Sequence, residues 1–108
     1  MAYTTKKAWA DIAASSTDSA IIAAVPFKVL RVVSLVMITG ATATNITFNT
    51  KGSGAGTAIT SAFANGINGG AVLNYNPEGW FSTTAGHGLT ATTGAGSSTG
   101  VNITYIEV

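Results

Sequence analysis

An all-β sandwich is the fold this sequence predicts, and three observations predict it. β-branched residues dominate the chain. Turn residues interrupt it at intervals of about ten residues. One run, Val29 to Ile38, is apolar on both faces, which a strand with one solvated face is not. The 108 residues suffice for one compact domain and are too few for two. The expected architecture is two packed antiparallel sheets of about eight short strands, a number that suits a jelly roll. Residues 1–18 are expected to form an extended N-terminal arm or a first strand, and residues 19–108 the sandwich.

The elements follow in order. Tyr3 to Ala14 is ambiguous: Trp9 and Ile12 are three apart, as on a helix, but Thr4 and Thr5 favour an extended arm. Ser15-Ser16-Thr17-Asp18 is a turn cluster. Ser19 to Val25 is a strand stopped by Pro26, which cannot donate to a central ladder. Phe27 to Thr39 is the strongest strand, with Val29, Val33, Leu35 and Met37 expected on one face and Leu30, Val32, Val36 and Ile38 on the other. Its second face must then be covered, by a chain segment or by another subunit.

Thr42 to Thr50 alternates, with Thr44, Ile46 and Phe48 inward and Asn45, Thr47 and Asn49 outward. Lys51 to Gly56 is a glycine-rich hairpin loop, and Thr57 to Phe63 the returning strand. Asn65-Gly66 and Gly69-Gly70 mark turns before a short strand, Ala71 to Tyr75. The turn Asn76-Pro77-Glu78-Gly79 leads into Trp80-Phe81 and a segment closed by Thr84-Ala85-Gly86. Leu89 to Thr93 and Val101 to Val108 are the last strands, the latter with Val101, Ile103 and Tyr105 on one face.

Charge is sparse. Only 8% of residues are Asp, Glu, Lys or Arg, against about 25% in an ordinary soluble domain. The formal net charge is +1, and no basic stripe offers itself to phosphates, so nucleic acid is not an expected partner. Solubility falls to Thr, Ser, Asn and Gly, a composition suited to proteins largely covered by neighbours, or to extracellular and virion proteins rich in hydroxyl side chains. The N-terminal residues Met1 to Lys7 lack the apolar core of a signal peptide. Val29 to Ile38 contains Arg31 and is about half the length a membrane helix needs, so no membrane role is expected. With no cysteine, disulfides cannot staple this small core, and the composition fits an intracellular assembly site.

The inventory for chemistry is nearly empty: His87, Asp11, Asp18, Glu78 and Glu107. His87, between Gly86 and Gly88, reads as a turn residue; catalysis would require Ser82 or Asp18 to approach it. No metal-ligand spacing occurs, and a calcium site on Asp18 would need backbone carbonyls to complete it. Gly52-Ser53-Gly54-Ala55-Gly56 lacks the Lys-Ser/Thr of a phosphate loop. Asn45-Ile46-Thr47 and Asn102-Ile103-Thr104 match the glycosylation sequon but read as alternating strand residues. The chain is therefore expected not to be an enzyme and to need no cofactor. Trp80 and Phe81, with Tyr75, admit three readings: a core plug, a subunit contact, or a stacking platform for a sugar.

Several of these pieces occur together in a recognisable order. A basic strand enters an apolar run, Phe27-Lys28-Val29-Leu30-Arg31-Val32; then comes Ile46-Thr47-Phe48. Next are Asn68-Gly69-Gly70, a short strand, and the aromatic turn Tyr75-Asn76-Pro77-Glu78-Gly79-Trp80-Phe81. Thr83-Thr84-Ala85-Gly86-His87-Gly88-Leu89 follows, and Ile103-Thr104-Tyr105-Ile106-Glu107-Val108 closes the chain. In this order Phe27 to Val108 resembles small virion proteins of tailed bacteriophages, among them capsid decoration, or cement, proteins. The resemblance implies a virion protein, made in the host cytoplasm, that binds the outside of the shell and braces it.

On that reading the partners are a second copy of the chain, as a homotrimer or dimer, and the major capsid protein. The expected oligomer or capsid contacts are Trp9, Ile12, Leu30, Val32, Val36, Tyr75, Trp80 and Phe81, with the arm through Trp9 reaching onto the shell or a neighbour. The alternative is a glycan-binding or host-adhesion module of a head or tail fibre, resting on Trp80 and Tyr75.

Overall fold

The structure is a computed structural model that describes residues 3–108. Met1 and Ala2, the start of the expected arm, lie outside the described residues. Among the described residues there are ten strands: β1 (Lys6–Ile12), β2 (Ser19–Ile22), β3 (Leu30–Thr39), β4 (Thr44–Lys51), β5 (Thr57–Ala58), β6 (Phe63–Asn65), β7 (Gly70–Leu73), β8 (Phe81–Ser82), β9 (Gly88–Thr93) and β10 (Thr99–Glu107). One sheet runs β1-β10-β3-β7 with β8 also on β3; the other runs β2-β9-β4-β5 with β6 also on β4. All pairings are antiparallel.

The protein is thus the antiparallel β-sandwich the sequence predicts. Ten strands replace the expected eight because the N-terminal segment is itself a strand and the expected Thr57–Phe63 strand is divided into β5 and β6.

The core lies between the sheets. Ile12, Leu30, Val32, Leu35, Met37, Val101 and Ile103 of the first sheet meet Ile22, Ile46, Phe48, Leu89 and Ala91 of the second. Phe48 anchors it, stacked on Phe81 at 5.1 Å between ring centroids and edge-on to Phe63 at 5.9 Å. Hydroxyls and amides close the rim. Thr39 and Thr99 share a hydrogen bond of 3.0 Å, and Asn65 Nδ2 donates to Thr39 Oγ1 at 3.1 Å. Among the described residues no buried side-chain nitrogen or oxygen lacks a partner, as a stable core requires. Gly70 is required where β7 joins β3, because a Cβ there would overlap the carbonyl oxygen of Met37.

Two expectations are corrected. Of the two alternatives for residues 1–18, β1 is a first strand and not a free arm. It pairs with β10 from Lys6↔Tyr105 to Ile12↔Thr99, and Ile12 is in the core. Trp9 and Ile12 fall on opposite faces because a strand alternates, which also disposes of the helical spacing.

The faces of β3 also differ from the expected division. The register against β10 shifts so that Ser34 faces Thr104 while Val32 faces Tyr105, leaving Val33 as an extra residue. This β-bulge reverses the phase. Leu30 and Val32 before it, and Leu35 and Met37 after it, all point into the core, whereas Val36 and Ile38 point out. Phe27 and Val29 precede the strand rather than open it, and Val29 exchanges backbone hydrogen bonds with Val108 at 2.8 and 2.9 Å.

The question of what covers the second face of β3 then has two answers along its length. Val33 is fully buried outside the inter-sheet cluster. There the turn after β7 continues along the edge of β3, with Asn76 N–H donating to Val33 O and Trp80 N–H to Val32 O, both at 2.8 Å. Val36 and Ile38, beyond that turn, are exposed.

Candidate functional site: the outer face of the first sheet

The register fixes what this face presents. Trp9 of β1 lies opposite Asn102 of β10, Asn102 opposite Val36 of β3, and Val36 opposite Val72 of β7. Residues directly opposite share a face, so three apolar side chains and one amide form a row across four strands. Ile38 adds to the row from the next outward position of β3. Trp9 is 73% exposed, Val72 67%, Ile38 61% and Val36 43%.

Lys7, Ser34 and Thr104 edge the row, and with Trp9, Val36 and Asn102 they line a hollow of about 310 Å³. Asp11, opposite Gly100, closes the far side. Single exposed apolar residues are ordinary; a contiguous aromatic and aliphatic band with a polar rim is the composition of an association surface. Chemically it can bury apolar area and align one ring and one amide.

The expected contact residues divide between surface and interior. Trp9 and Val36 are together on this face. Tyr75 and Trp80 are exposed on the turn that follows β7. The Trp80 indole is fixed by its Nε1, which donates to Asn74 O at 2.7 Å, and the residue remains 47% exposed. It is therefore not a core plug. Phe81, next to it, is half-buried against Phe48, since adjacent strand residues face opposite ways. Ile12, Leu30 and Val32 are fully buried and face the interior, so they cannot meet another subunit or a shell from this fold.

Sequence reasoning passed over Val72, whose place beside Val36 depends on pairing between distant segments. It also passed over the exposure of Phe27, for which Val25-Pro26-Phe27-Lys28 carried a turn signal in its proline.

The polar candidates are structural braces. His87 Nδ1 lies 3.0 Å from Thr50 Oγ1, which also accepts from Thr84 N–H at 2.9 Å. The ring thus ties the end of β4 to the turn before β9. The Asp18 carboxylate receives Gly56 N–H at 2.9 Å, Thr90 Oγ1 at 3.0 Å and Asn49 Nδ2 at 3.1 Å. Gly56 N–H, foremost, holds its pKa below the ordinary carboxylate range, against partial burial that pushes it up. These neighbours are hydrogen-bond donors, where a calcium site needs oxygen ligands.

Among the described residues no three His, Cys, Asp or Glu side chains gather as metal ligands would. Nor is any helix long and apolar enough to cross a membrane among them. Comparison of the chain with family models, curated proteins and solved structures finds no match.

Proposed function

We propose that this chain is a structural virion protein that binds the outside of a tailed-phage capsid as a homo-oligomer and stabilises the shell. The carrying observation is the unpartnered row Trp9–Val36–Val72 with Ile38, on a domain that is otherwise poor in ionisable groups. A face of this kind is stabilised by being covered, and a second copy or a shell protein covers it. The resemblance of Phe27 to Val108 to phage decoration proteins supplies the shell.

With β1 paired along its length, attachment does not depend on a free arm. On this proposal, attachment is therefore through surfaces of the folded domain. The test is to image particles from a producing lysate by electron microscopy with gold-labelled antibody against this chain. Label spread over heads supports the proposal, and particles without label overturn it.

A second reading rests on the exposed pair Tyr75 and Trp80, whose flat rings stack on sugars. On that reading the label is confined to tails or fibres. A glycan array then gives hits that Trp80→Ala abolishes.

A further inference from the structure

Among the described residues Phe27 is the most exposed of the large apolar side chains, at 93%, and its φ is +64°. The turn that holds it is closed by Lys28 N–H donating to Val25 O at 3.1 Å, with Pro26 in the second position and Phe27 in the third. A third-position residue with positive φ is the pattern of a type II turn, and glycine or asparagine is what that position favours. Phenylalanine gains nothing there from packing, and its backbone is in a disfavoured region. The turn is nonetheless firmly placed. Gly86 N–H donates to Lys28 O at 2.9 Å, and Thr83 exchanges hydrogen bonds with Leu30, its N–H to Leu30 O and Leu30 N–H to Thr83 Oγ1, both at 3.0 Å. A strained residue that the surrounding bonds hold rigid, with its ring in solvent, points to a role outside the fold.

Charge points the same way. The sequence has five Lys and Arg residues: Lys6, Lys7, Lys28, Arg31 and Lys51. The fold brings all of them to the end of the sandwich that carries Phe27. Lys6 and Lys7 begin β1, Lys6 opposite Tyr105; Arg31 lies opposite Ile106 and Ser82; Lys51 lies opposite Gly88. Three carboxylates lie near them: Glu107 pairs with Lys6 at 2.9 Å, Glu78 is on the turn whose Gly79 packs against the Arg31 side chain, and Asp18, bonded to Asn49 and Gly56, feels the charge of Lys51. Asp11 is opposite Gly100 toward the other end, so the pole keeps five cations against three carboxylates. A chain with a net charge of only +1 thus has a cationic pole around one projecting ring.

We propose that this pole is the shell-facing surface, with Phe27 seated in an apolar pocket rimmed by carboxylates on the capsid protein. The inference rests on the capsid reading above and leaves the Trp9–Val36–Val72 face to self-association. A single ring on a rigid turn fits one pocket in a folded protein, where a membrane surface takes several apolar side chains and a nucleic acid takes a run of cations.

The test is binding of the purified full chain to particles from a strain lacking it, alongside Phe27→Gly and Lys28→Glu. Phe27→Gly is expected to weaken binding about thirtyfold, the loss typical of a hot-spot aromatic. Lys28→Glu weakens it as well, and added salt weakens the wild type more than Lys28→Glu. The melting temperature of free Phe27→Gly is expected to be no lower than that of the wild type, since glycine suits the turn. If the wild type binds and both variants bind equally well, the assignment of this pole is overturned while the capsid reading stands. If the wild type does not bind, the capsid reading fails and takes the assignment with it. A drop of several degrees in melting temperature for Phe27→Gly makes the ring structural and overturns the proposal. Phe27-dependent binding to phosphatidylserine vesicles or to a DNA duplex, in place of particles, overturns the choice of a protein partner.

Discussion

The Asp18 carboxylate shows how much of the second sheet's polar order depends on a single side chain. It joins the turn after β1 to the β4–β5 loop through Gly56, and to β4 and β9 through Asn49 and Thr90. A Cβ on Gly56 would overlap it, so the loop can approach only as glycine. Because its folded pKa lies below its unfolded value, the stability it adds is fully present above the unfolded value and is lost as pH falls through the folded one. Asp18→Asn is therefore expected to lower stability at neutral pH by about 1 kcal/mol, a figure kept small by partial solvent exposure. The difference in melting temperature from wild type should shrink as pH is lowered from 7 toward 2. A difference independent of pH would mean the charge is not what matters. At the core rim, Thr39→Val leaves Asn65 Nδ2 and Thr99 Oγ1 short of a partner. The expected cost is about 1–3 kcal/mol, read from urea unfolding.

At the scale of elements, β1 and β3 set the chemistry of the outer face. β1 is an edge strand, paired with β10 on one side. Hydrogen exchange should find alternate amides of Lys6–Ile12 slow and the intervening ones fast, as an edge strand with one partner gives. A free arm would exchange fast at every position. The bulge at Val33 is what lets β3 fill the core at Leu30 and Val32 and again at Leu35 and Met37. Deleting Val33 removes the extra residue and leaves Leu30, Val32, Leu35 and Met37 on one strictly alternating inner face. The expected result is that unfolding by calorimetry stays cooperative, whereas deleting the neighbouring Ser34 together with Val33 turns Leu35 and Met37 outward and abolishes it.

For the molecule as a whole, the two surfaces separate two kinds of assembly. The apolar band of the first sheet is neutral at its centre, and the loop pole is cationic. Self-association through the band predicts that Val36→Glu with Val72→Glu converts an oligomer to a monomer in sedimentation experiments. Like charges placed opposite each other also repel within the subunit, so Val36→Ser with Val72→Ser serves as the milder pair. Both side chains are exposed, so the fold should persist in far-ultraviolet circular dichroism. Wild-type protein that is monomeric at all concentrations would remove self-association from the proposed function. Binding at the pole should be more sensitive to salt than association through the band, since five cations gather at the former and only Lys7 and Asp11 edge the latter.

The sequence by itself determined the class of fold and much of the core. Thr44, Ile46 and Phe48 alternate with Asn45 and Thr47, and that period of two holds wherever the segment is placed. Asn49 departs from the period in burial because Asp18 and Thr92 satisfy its amide. The apolar second face of β3 was legible as something requiring cover, but its division into a covered half at Val33 and an open half at Val36 and Ile38 was not. A bulge is a property of two paired strands, and no residue of β3 alone encodes it. Trp9, Val36 and Val72 are distant in sequence and meet only through register, as do the five cations gathered at one pole. Local periodicity identified the inner face of β4, but not that of β3, where the bulge reversed it. Which outer faces became neighbours was decided by long-range hydrogen-bonded pairing, and the two proposed binding surfaces are made of those neighbours.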